Sequence, residues 1–348
     1  MIIRVSDENF DKYNTFVNGH ENGNFMQTVQ WAKFKSNQRS FMIMSVDPAG
    51  EVRGTMLMLE HTVNRINKRF LYSPRGPVCS REDSVTLKEL LDEASNIAKE
   101  IGAYKLTLDP DISDENKAWI EFFRENGAKI GDNSFDNGIL QPISVYRIDV
   151  NKNDDDLIMS FHSKARYSVR SAIKSGAICR LGDKSDIPTF VSLLNKTAMK
   201  DGFTPRTEKY FFDLYDSLGE DMVKLFIVEY NNEAIAGSVL IKDANKTWHM
   251  YAGSDEKYNN LLPNFLMQWE MMRWSRDNGC FLYDMRGIAG EGNKLRPIEG
   301  LERFKKRFGG SLCSFVGRID LIYNSFDDNI VRTVKKTSII IKKLLGRK

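Results

Sequence analysis

A lysine at the edge of an apolar helix face is the first feature of this chain that could do chemistry. Segment 300–310 reads Gly-Leu-Glu-Arg-Phe-Lys-Lys-Arg-Phe-Gly-Gly. At about 100° per residue, Leu301, Phe304 and Phe308 share one arc of the helix, and Lys305 lies about 40° beyond Leu301. The stem of Lys305 can then be buried while its ammonium holds an oxyanion or a phosphate in a cleft. The alternative is an ordinary surface lysine with a buried stem.

Three basic residues at four-residue spacing are the second feature. Arg166, Arg170 and Lys174 lie on one face of a helix predicted over 157–175, and Tyr167 lies beside them. Such a stripe contacts nucleic-acid phosphates without reading the sequence, and an aromatic neighbour can stack on an unpaired base. The same pattern also describes a solvated helix face.

A proline-rich turn and an acidic residue complete the candidates found from residue types. The turn Tyr72-Ser-Pro-Arg-Gly-Pro carries Arg75, and its prolines restrict φ. It either cradles an anion or turns a corner, and the sequence leaves both open. Asp109 follows a strand predicted over 104–108 and is a candidate for taking a proton from an amine. A structural role at the strand end is the alternative.

Several classes of chemistry lack supporting motifs. The four cysteines and four histidines are widely scattered, so we expect reduced core cysteines, no metal site, no cofactor and no histidine-based nucleophilic triad. A coenzyme A loop would read Arg/Gln-x-x-Gly-x-Gly/Ala. Segments 124–129 and 307–312 both fail at the last position.

These residues belong to two copies of one predicted folding unit. The first copy is predicted as strands 41–46 and 54–60, helix 87–101, strand 104–108 and a helix that breaks at Gly127. The second is predicted as strands 223–230, 235–241 and 247–251, helix 264–278, strand 281–283 and the Lys305 helix, which breaks at Gly309. This order is typical of an acyl-transfer α/β unit, and its repetition indicates a gene duplication that creates a cleft for two bulky substrates. Two further helices, 187–200 and 208–218, precede the second copy.

The length of 348 residues also fits two domains. We expect a first domain over 1–147, to which 319–348 returns, and a second domain over 148–318 that carries the lysine helix. A strand in 141–150 leads out of the first domain, and the polar, acidic segment 151–156 follows it.

Positive charge is concentrated at the C-terminus. The net charge is +3, and residues 331–348 contain seven Lys or Arg and no acid, so +3 − 7 leaves −4 for the rest. The whole molecule is therefore not a general nucleic-acid binder. The basic tail is predicted as a helix that packs on the first domain, lies on an anionic membrane, or does both. The chain has no apolar run of 18 residues and no secretory signal, so we expect a cytoplasmic protein, with peripheral contact at the inner face of the membrane as an option.

Eight segments, in order, resemble the Fem family of aminoacyl-tRNA-dependent peptidyltransferases that branch peptidoglycan. They are 25–35, 72–78, 108–110, 164–176, 201–206, 251–254, 283–288 and 300–310. The resemblance spans essentially the whole chain. It implies an α/β (α+β) fold with two tandem acetyltransferase-like (GNAT-like) domains and a C-terminal basic helix. Many members carry a long coiled-coil arm, for which 157–218 has no room, so the chain resembles the short form.

The resemblance also implies roles for individual residues. The positions that match contacts to the precursor's phosphates, sugar or peptide are Lys35, Arg206, Tyr210 and Tyr251, with Tyr104 as a further candidate. Phe304 and Lys305 match the pair assigned to the aminoacyl end of tRNA and to the developing negative charge.

The implied reaction is aminolysis of an ester. An amine of the stem peptide attacks the carbonyl that joins the amino acid to the tRNA ribose. The ester is already activated, so the enzyme needs to orient two substrates and stabilise an oxyanion. The expected partners are an aminoacyl-tRNA donor and an acceptor that is UDP-MurNAc-pentapeptide or lipid II. The transferred amino acid stays open. The alternatives are an acyl-CoA-dependent N-acyltransferase and a non-catalytic RNA- or membrane-associated scaffold.

Overall fold

The chain divides into two compact units. The computed structural model describes residues 1–131, 140–288 and 299–344. Unit 1 comprises Met1–Gln141 and Phe315–Lys348, and unit 2 comprises Pro142–Ser314. The chain thus leaves unit 1, builds unit 2 and returns.

The first part of unit 1 alternates short strands and helices. In chain order these are β1 (Ile2–Arg4), α1 (Phe10–Gly19), α2 (Val29–Phe34), β2 (Ser40–Val46), β3 (Val52–Val63), β4 (Lys68–Ser73), β5 (Val78–Cys79), α3 (Ser84–Ile101), β6 (Ala103–Leu108), α4 (Lys117–Glu125) and β7 (Lys129–Ile130).

Unit 2 follows, and two elements then complete unit 1. Unit 2 contains β8 (Ser144–Asp149), α5 (Asp154–Met159), α6 (Ser163–Lys174), β9 (Ile178–Gly182), α7 (Ile187–Asp201), α8 (Glu208–Leu218), β10 (Val223–Tyr230), β11 (Glu233–Asp243), β12 (Lys246–Ser254), α9 (Pro263–Asp277), β13 (Leu282–Gly287), α10 (Glu299–Lys306) and β14 (Ser311–Ser314). The returning elements are β15 (Ile319–Ile322) and α11 (Ser325–Leu344).

The two sheets share a central strand arrangement. The order in unit 1 is β1-β2-β3-β4-β6-β15-β7, with β5 paired to β3, and the order in unit 2 is β14-β8-β13-β12-β11-β10-β9. Each sheet has three consecutive antiparallel strands, then a helix, then a strand parallel to the third. The predicted fold class, a mixed α/β chain with two acetyltransferase-like sheets, is therefore confirmed.

The long helix of each unit ends where its sequence provides a cap. α3 begins after Asp83, whose carboxylate accepts a hydrogen bond from Thr86 N at 2.9 Å. It ends at Gly102, whose φ of 67° is left-handed and suits glycine. Between these ends its buried residues recur every three or four positions and pack on the unit 1 sheet.

The helix predicted over 157–175 is two helices, α5 and α6. Asn153 caps α5 by accepting from Asp156 N, and His162 caps α6 by accepting from Lys164 N. Between them, His162 N donates to Arg307 O at 2.9 Å. Apolar periodicity runs through the break because Phe161 is buried, which explains why the sequence pattern showed one helix.

The first half of α11 packs on unit 1. Val331 is buried in a cluster with Phe70, Tyr72 and Tyr104, and Asp327 forms an ion pair with Lys68 at 2.7 Å. The end of the basic tail, residues 345–348, lies outside the described residues. Within the described ranges, no helix combines the length and apolarity needed to cross a membrane.

Candidate active site

The ammonium of Lys305 is bound to the end of a strand. Lys305 lies on α10 and is only 6% exposed, so it is more deeply buried than a residue at the margin of a helix face. Its Nζ donates to Met285 O at 2.6 Å and to Gly287 O at 2.8 Å, both on β13. An ammonium has three donors, so one N–H is not used by the described residues. Burial lowers the pKa of Lys305 to about 8, against the opposing effect of Asp284.

Phe304 forms an aromatic wall next to this lysine. It is half-buried, and its ring packs edge-on against Phe265 at 5.0 Å and Phe308 at 5.1 Å between centroids. Phe308 is fully buried and anchors the segment after α10 in the unit 2 core. The helix therefore places Phe304 and Lys305 side by side on a rigid support.

His249 is a neighbour that the sequence did not reveal. Its Nδ1 lies 3.1 Å from Gln268 Nε2 on α9, and Gln268 Oε1 accepts from Tyr283 OH at 2.8 Å. Burial, and to a lesser degree the charge of Lys305, lower the pKa of His249 to about 3, so its imidazole is neutral. No sequence motif marks this histidine, because its surroundings form only when β12 pairs with β13 and α9 packs against them.

Asp284 and Arg286 shape the strand end on which Lys305 rests. Asp284 is buried and accepts from Arg147 Nε at 3.0 Å and from Arg286 N at 2.6 Å. Arg286 has a φ of 61°, and the pairing of β13 with β8 shifts register between Asp284 and Gly287. Despite this register shift, β13 continues to Gly287, whereas the sequence predicted an end at residue 283.

Three predicted acceptor ligands lie together in unit 2. Tyr210 OH and Tyr251 OH are 2.7 Å apart, and the exposed Arg206 guanidinium lies 5.0 Å from the centre of the Tyr210 ring. Burial and the neighbouring Tyr251 raise the pKa of Tyr210, and Arg206 and Arg286 oppose this. Arg286 also lowers the pKa of Lys305, so the tyrosine pair and the lysine share one electrostatic neighbour.

Lys35 lies in unit 1. Its Nζ is 4.7 Å from the Trp31 ring centre and 4.5 Å from that of Phe34, and the side chain is half-buried. Aromatic faces hold a lysine ammonium in place while its head can still meet an anion.

Two candidate ligand residues, Tyr104 for the acceptor and Arg75 for an anion, are buried in unit 1. Tyr104 is 2% exposed and packs with Phe70 and Val331, so its ring serves the core. Arg75 is also buried, and its guanidinium stacks 4.3 Å from the Phe315 ring centre. This burial is consistent with a turn that changes the chain direction, and a contact with an anion stays a prediction.

Asp109 holds that corner. It is buried, and its carboxylate accepts from Tyr72 OH at 2.7 Å, Arg75 N at 2.8 Å and Gln141 N at 2.7 Å. Burial raises the pKa of Asp109, and these hydrogen bonds with the charge of Arg75 oppose the rise. The environment favours the structural role at the strand end over proton transfer with a substrate.

Two members of the cationic stripe on α6 have no partner in the described part of the chain. Arg166 Nη1 donates to Phe161 O at 2.7 Å, so this side chain fastens the α5–α6 break. Arg170 and Lys174 are exposed and make no hydrogen bond or ion pair with any residue in the described ranges. Tyr167 beside them is 72% exposed, which leaves its ring available for stacking.

Comparison with known proteins places these features in one family. The FemAB family model matches residues 8–233 and 220–336. A Staphylococcus aureus protein named Lipid II:glycine glycyltransferase is 27% identical over 414 aligned residues, covering 97% of this chain and 98% of the relative. The alignment is longer than the 348 residues of this chain, so the relative carries insertions that this chain lacks.

Solved structures give the same result. The crystal structure of FemX matches with a TM-score of 0.88 at 25% identity, covering 95% of this chain and 99% of that one. A tandem GNAT protein from the clavulanic acid biosynthesis pathway matches in fold alone, with a TM-score of 0.56 at 8% identity and coverage of 93% and 98%. The predictions of the family and of a transferase are thus confirmed, and the chain belongs to the FemAB family.

Proposed function

We propose that this chain transfers an amino acid from aminoacyl-tRNA to the stem-peptide amine of a peptidoglycan precursor. One observation carries the proposal: a buried lysine ammonium with one N–H that no described residue binds lies on the same unit as a tyrosine–arginine cluster suited to an anionic ligand. The name of the Staphylococcus aureus relative, a glycyltransferase acting on lipid II, supports the acceptor class.

In this reaction Lys305 stabilises the negative charge that develops on the carbonyl oxygen of the donor ester. The neutral acceptor amine attacks the ester carbon, and the carbonyl electron pair moves onto oxygen. The ammonium of Lys305, whose position is set by Met285 O and Gly287 O, stabilises that charge with its third N–H. The C–N bond forms, the C–O bond to the ribose breaks, and the proton released by nitrogen ends on the ribose hydroxyl. Atoms therefore balance without an enzyme nucleophile.

We assign the acceptor to Arg206, Tyr210 and Tyr251 of unit 2, and the family resemblance also implies Lys35 as an acceptor contact. Arginine and lysine suit phosphate oxygens, and the tyrosine hydroxyls suit sugar or peptide groups. The exposed guanidinium of Arg206 supports an initial contact with a charged ligand. We assign the tRNA backbone to Arg170 and Lys174, with Tyr167 as a stacking surface.

A transfer assay tests the proposal. Wild-type protein is incubated with a panel of radiolabelled aminoacyl-tRNAs and either UDP-MurNAc-pentapeptide or lipid II, and product is read by mass. Two control reactions replace the aminoacyl-tRNA, one with uncharged tRNA plus free amino acid and one with acetyl-CoA. We expect amide product only from aminoacyl-tRNA. Product from acetyl-CoA, or none from any charged tRNA with either acceptor, would reject it.

A further inference from the structure

The hydrogen bonds around His249 fix its tautomer. Tyr283 OH donates to Gln268 Oε1, so the amide nitrogen of Gln268 faces the imidazole. That nitrogen carries only donors, and Nδ1 of His249 must therefore accept. A neutral imidazole with an accepting Nδ1 has its proton on Nε2. Gln268 and Tyr283 are both buried, so the orientation is protected from water.

The Nε2–H of His249 is a buried donor that no described residue accepts. The Nε2 atom is shielded from solvent, and it has no hydrogen-bond partner among the described residues. Folded proteins satisfy nearly all buried donors, so an orphan of this kind indicates strain or a place for a ligand atom. The residues around His249 favour a place for a ligand atom over strain.

Strand register places His249 next to the strand position that binds the Lys305 ammonium. β12 and β13 run parallel, and Trp248 pairs with Asp284. The next residues on the two strands are His249 and Met285, and Met285 O holds the Lys305 ammonium. The charge of Lys305 also contributes to lowering the pKa of His249, which supports a short separation between the two side chains.

A β-bulge sets the sheet face on which His249 lies. In the pairing of β11 with β12, Leu240 faces His249 and Val239 faces Tyr251, so Met250 is the extra residue. The bulge breaks the usual alternation, and the two side chains contact different helices. His249 contacts Gln268 on α9, and Tyr251 contacts Tyr210 on α8. Bulges of this kind commonly re-aim a side chain next to an active site.

We infer that His249 is a second hydrogen-bond donor in the oxyanion site, so that its Nε2–H and the spare N–H of Lys305 together receive the carbonyl oxygen of the reacting ester. This inference rests on the proposed function. The ligand class is a planar ester carbonyl that becomes a tetrahedral oxyanion. Gln268 and Tyr283 are positioning residues, because they act by keeping the proton of His249 on Nε2.

Two amide variants separate a donor role from a structural one. In His249→Gln the side-chain amide reaches the position of Nε2 and keeps an N–H there. In His249→Asn the shorter amide can still accept from Gln268 but presents no donor at Nε2. We expect His249→Asn to slow single-turnover transfer by about 10²-fold, the loss typical of one oxyanion donor. His249→Gln should stay within about fivefold of wild type, and the donor and acceptor dissociation constants should change less than twofold in both. Equal rates for the two variants, or a loss seen only in binding, would overturn the inference.

A spectroscopic test does not depend on turnover. Nitrogen-15 NMR of histidine-labelled wild-type protein reports which ring nitrogen is protonated, and His249→Gln assigns the signal. We expect Nε2–H throughout pH 6 to 8, and Gln268→Leu should release Nδ1 and mix the tautomers. A proton on Nδ1 in the wild type would reject the second donor even in an active enzyme. An inactive wild type with the Nε2–H tautomer would instead reject the proposed function and leave the imidazole geometry intact.

Discussion

At the scale of single residues, Lys305 combines a charge with almost complete burial. Two strand carbonyls offset part of the desolvation cost and fix the position of Nζ. The part of the desolvation cost that is not offset lowers the pKa of Lys305 to about 8. Lys306, the next residue on α10, is exposed and provides a matched control for charge alone.

Replacing these two lysines separates chemistry from general charge. We expect Lys305→Ala to lower the single-turnover rate of transfer by about 10²–10³-fold, because one oxyanion donor is lost. Lys306→Ala should remain within about twofold of wild type. Acceptor affinity, measured by calorimetry, should be unchanged in both variants. Wild-type rates for Lys305→Ala would show that its ammonium does not meet the reacting oxygen.

The pH profile of the same step should carry the signature of Lys305. The reactive fraction of an acceptor amine with an ordinary pKa of about 10.4 rises tenfold per pH unit. The protonated fraction of Lys305 falls as pH rises through its lowered pKa of about 8. The logarithm of the rate should therefore rise with unit slope up to about pH 8 and then level off. In Lys305→Ala the slope should continue past pH 8. Rates are corrected for hydrolysis of the ester without enzyme, and a wild-type profile that stays linear to pH 9.5 would contradict the assignment.

At the scale of elements, local sequence predicted most helices and strands but not their pairing. The bounds of α8 and β10 agree with prediction because Thr207 caps α8 and Asn231 and Asn232 turn the chain at positive φ. The insertion of β15 beside β6, and of β8 beside β13, joins distant segments and leaves no local signal. His249 was missed for the same reason, and the buried positions of Tyr104 and Arg75 follow from contacts with the returning C-terminal segment.

The corner between β4 and β6 should depend on Asp109 for stability. Its carboxylate satisfies one hydroxyl and two backbone donors in a buried place. We expect Asp109→Asn to lower the free energy of unfolding by about 2–4 kcal/mol, since it removes charge-assisted bonds and adds an amide donor. The exposed Asp114→Asn is the control. Urea unfolding gives both values, and a stable Asp109→Asn with a large loss of turnover would restore a role in proton transfer.

The basic residues of the α6 stripe should have different functions, with Arg170 binding tRNA and Arg166 stabilising the fold. We expect Arg170→Glu to weaken donor tRNA binding and to reduce the salt-dependence slope by at least about 0.7–0.9, the value for one phosphate contact. Arg166→Ala should instead lower thermal stability, because its bond to Phe161 O fastens the α5–α6 break. Filter binding at several salt concentrations measures the slopes. Parallel slopes for Arg170→Glu and wild type would remove α6 from the tRNA path.

At the scale of the whole molecule, the two units contain equivalent helices, and one of them carries the lysine. α4 leads to β7 as α10 leads to β14, and Gly127 and Gly309 after them both have a φ of 74°. Counted back four residues from these glycines, Lys305 corresponds to Phe123, which is fully buried in the unit 1 core. The lysine thus occupies a core position, and this explains why its ammonium is desolvated.

Each unit also contains a partly buried, neutral histidine, which makes the whole molecule sensitive to acid. Burial, with smaller effects from Lys35 and Lys305 respectively, lowers the pKa of His61 to about 4 and of His249 to about 3. Both values lie below the unfolded value of about 6.5, so the unfolded chain binds more protons at acid pH. The contribution to stability is complete above about pH 6.5 and is lost as pH falls toward 4 for His61 and 3 for His249.

Removing these protonation sites should reduce the acid sensitivity of each unit by a similar amount. At pH 5 each histidine contributes a loss of about 2 kcal/mol relative to pH 7, since the unfolded state is favoured by 1.36 kcal/mol per pH unit below about 6.5. We therefore expect His61→Gln and His249→Gln each to reduce the fall in unfolding free energy between pH 7 and pH 5 by about 2 kcal/mol. The double variant should reduce it by about 4 kcal/mol, because the two sites lie in separate units. Urea unfolding at both pH values, monitored by signals from each unit, gives the unfolding free energies. Because pH 7 and pH 5 are compared within one variant, packing losses that do not depend on pH cancel. An unchanged acid response in a single variant would show that its histidine titrates normally in the folded chain.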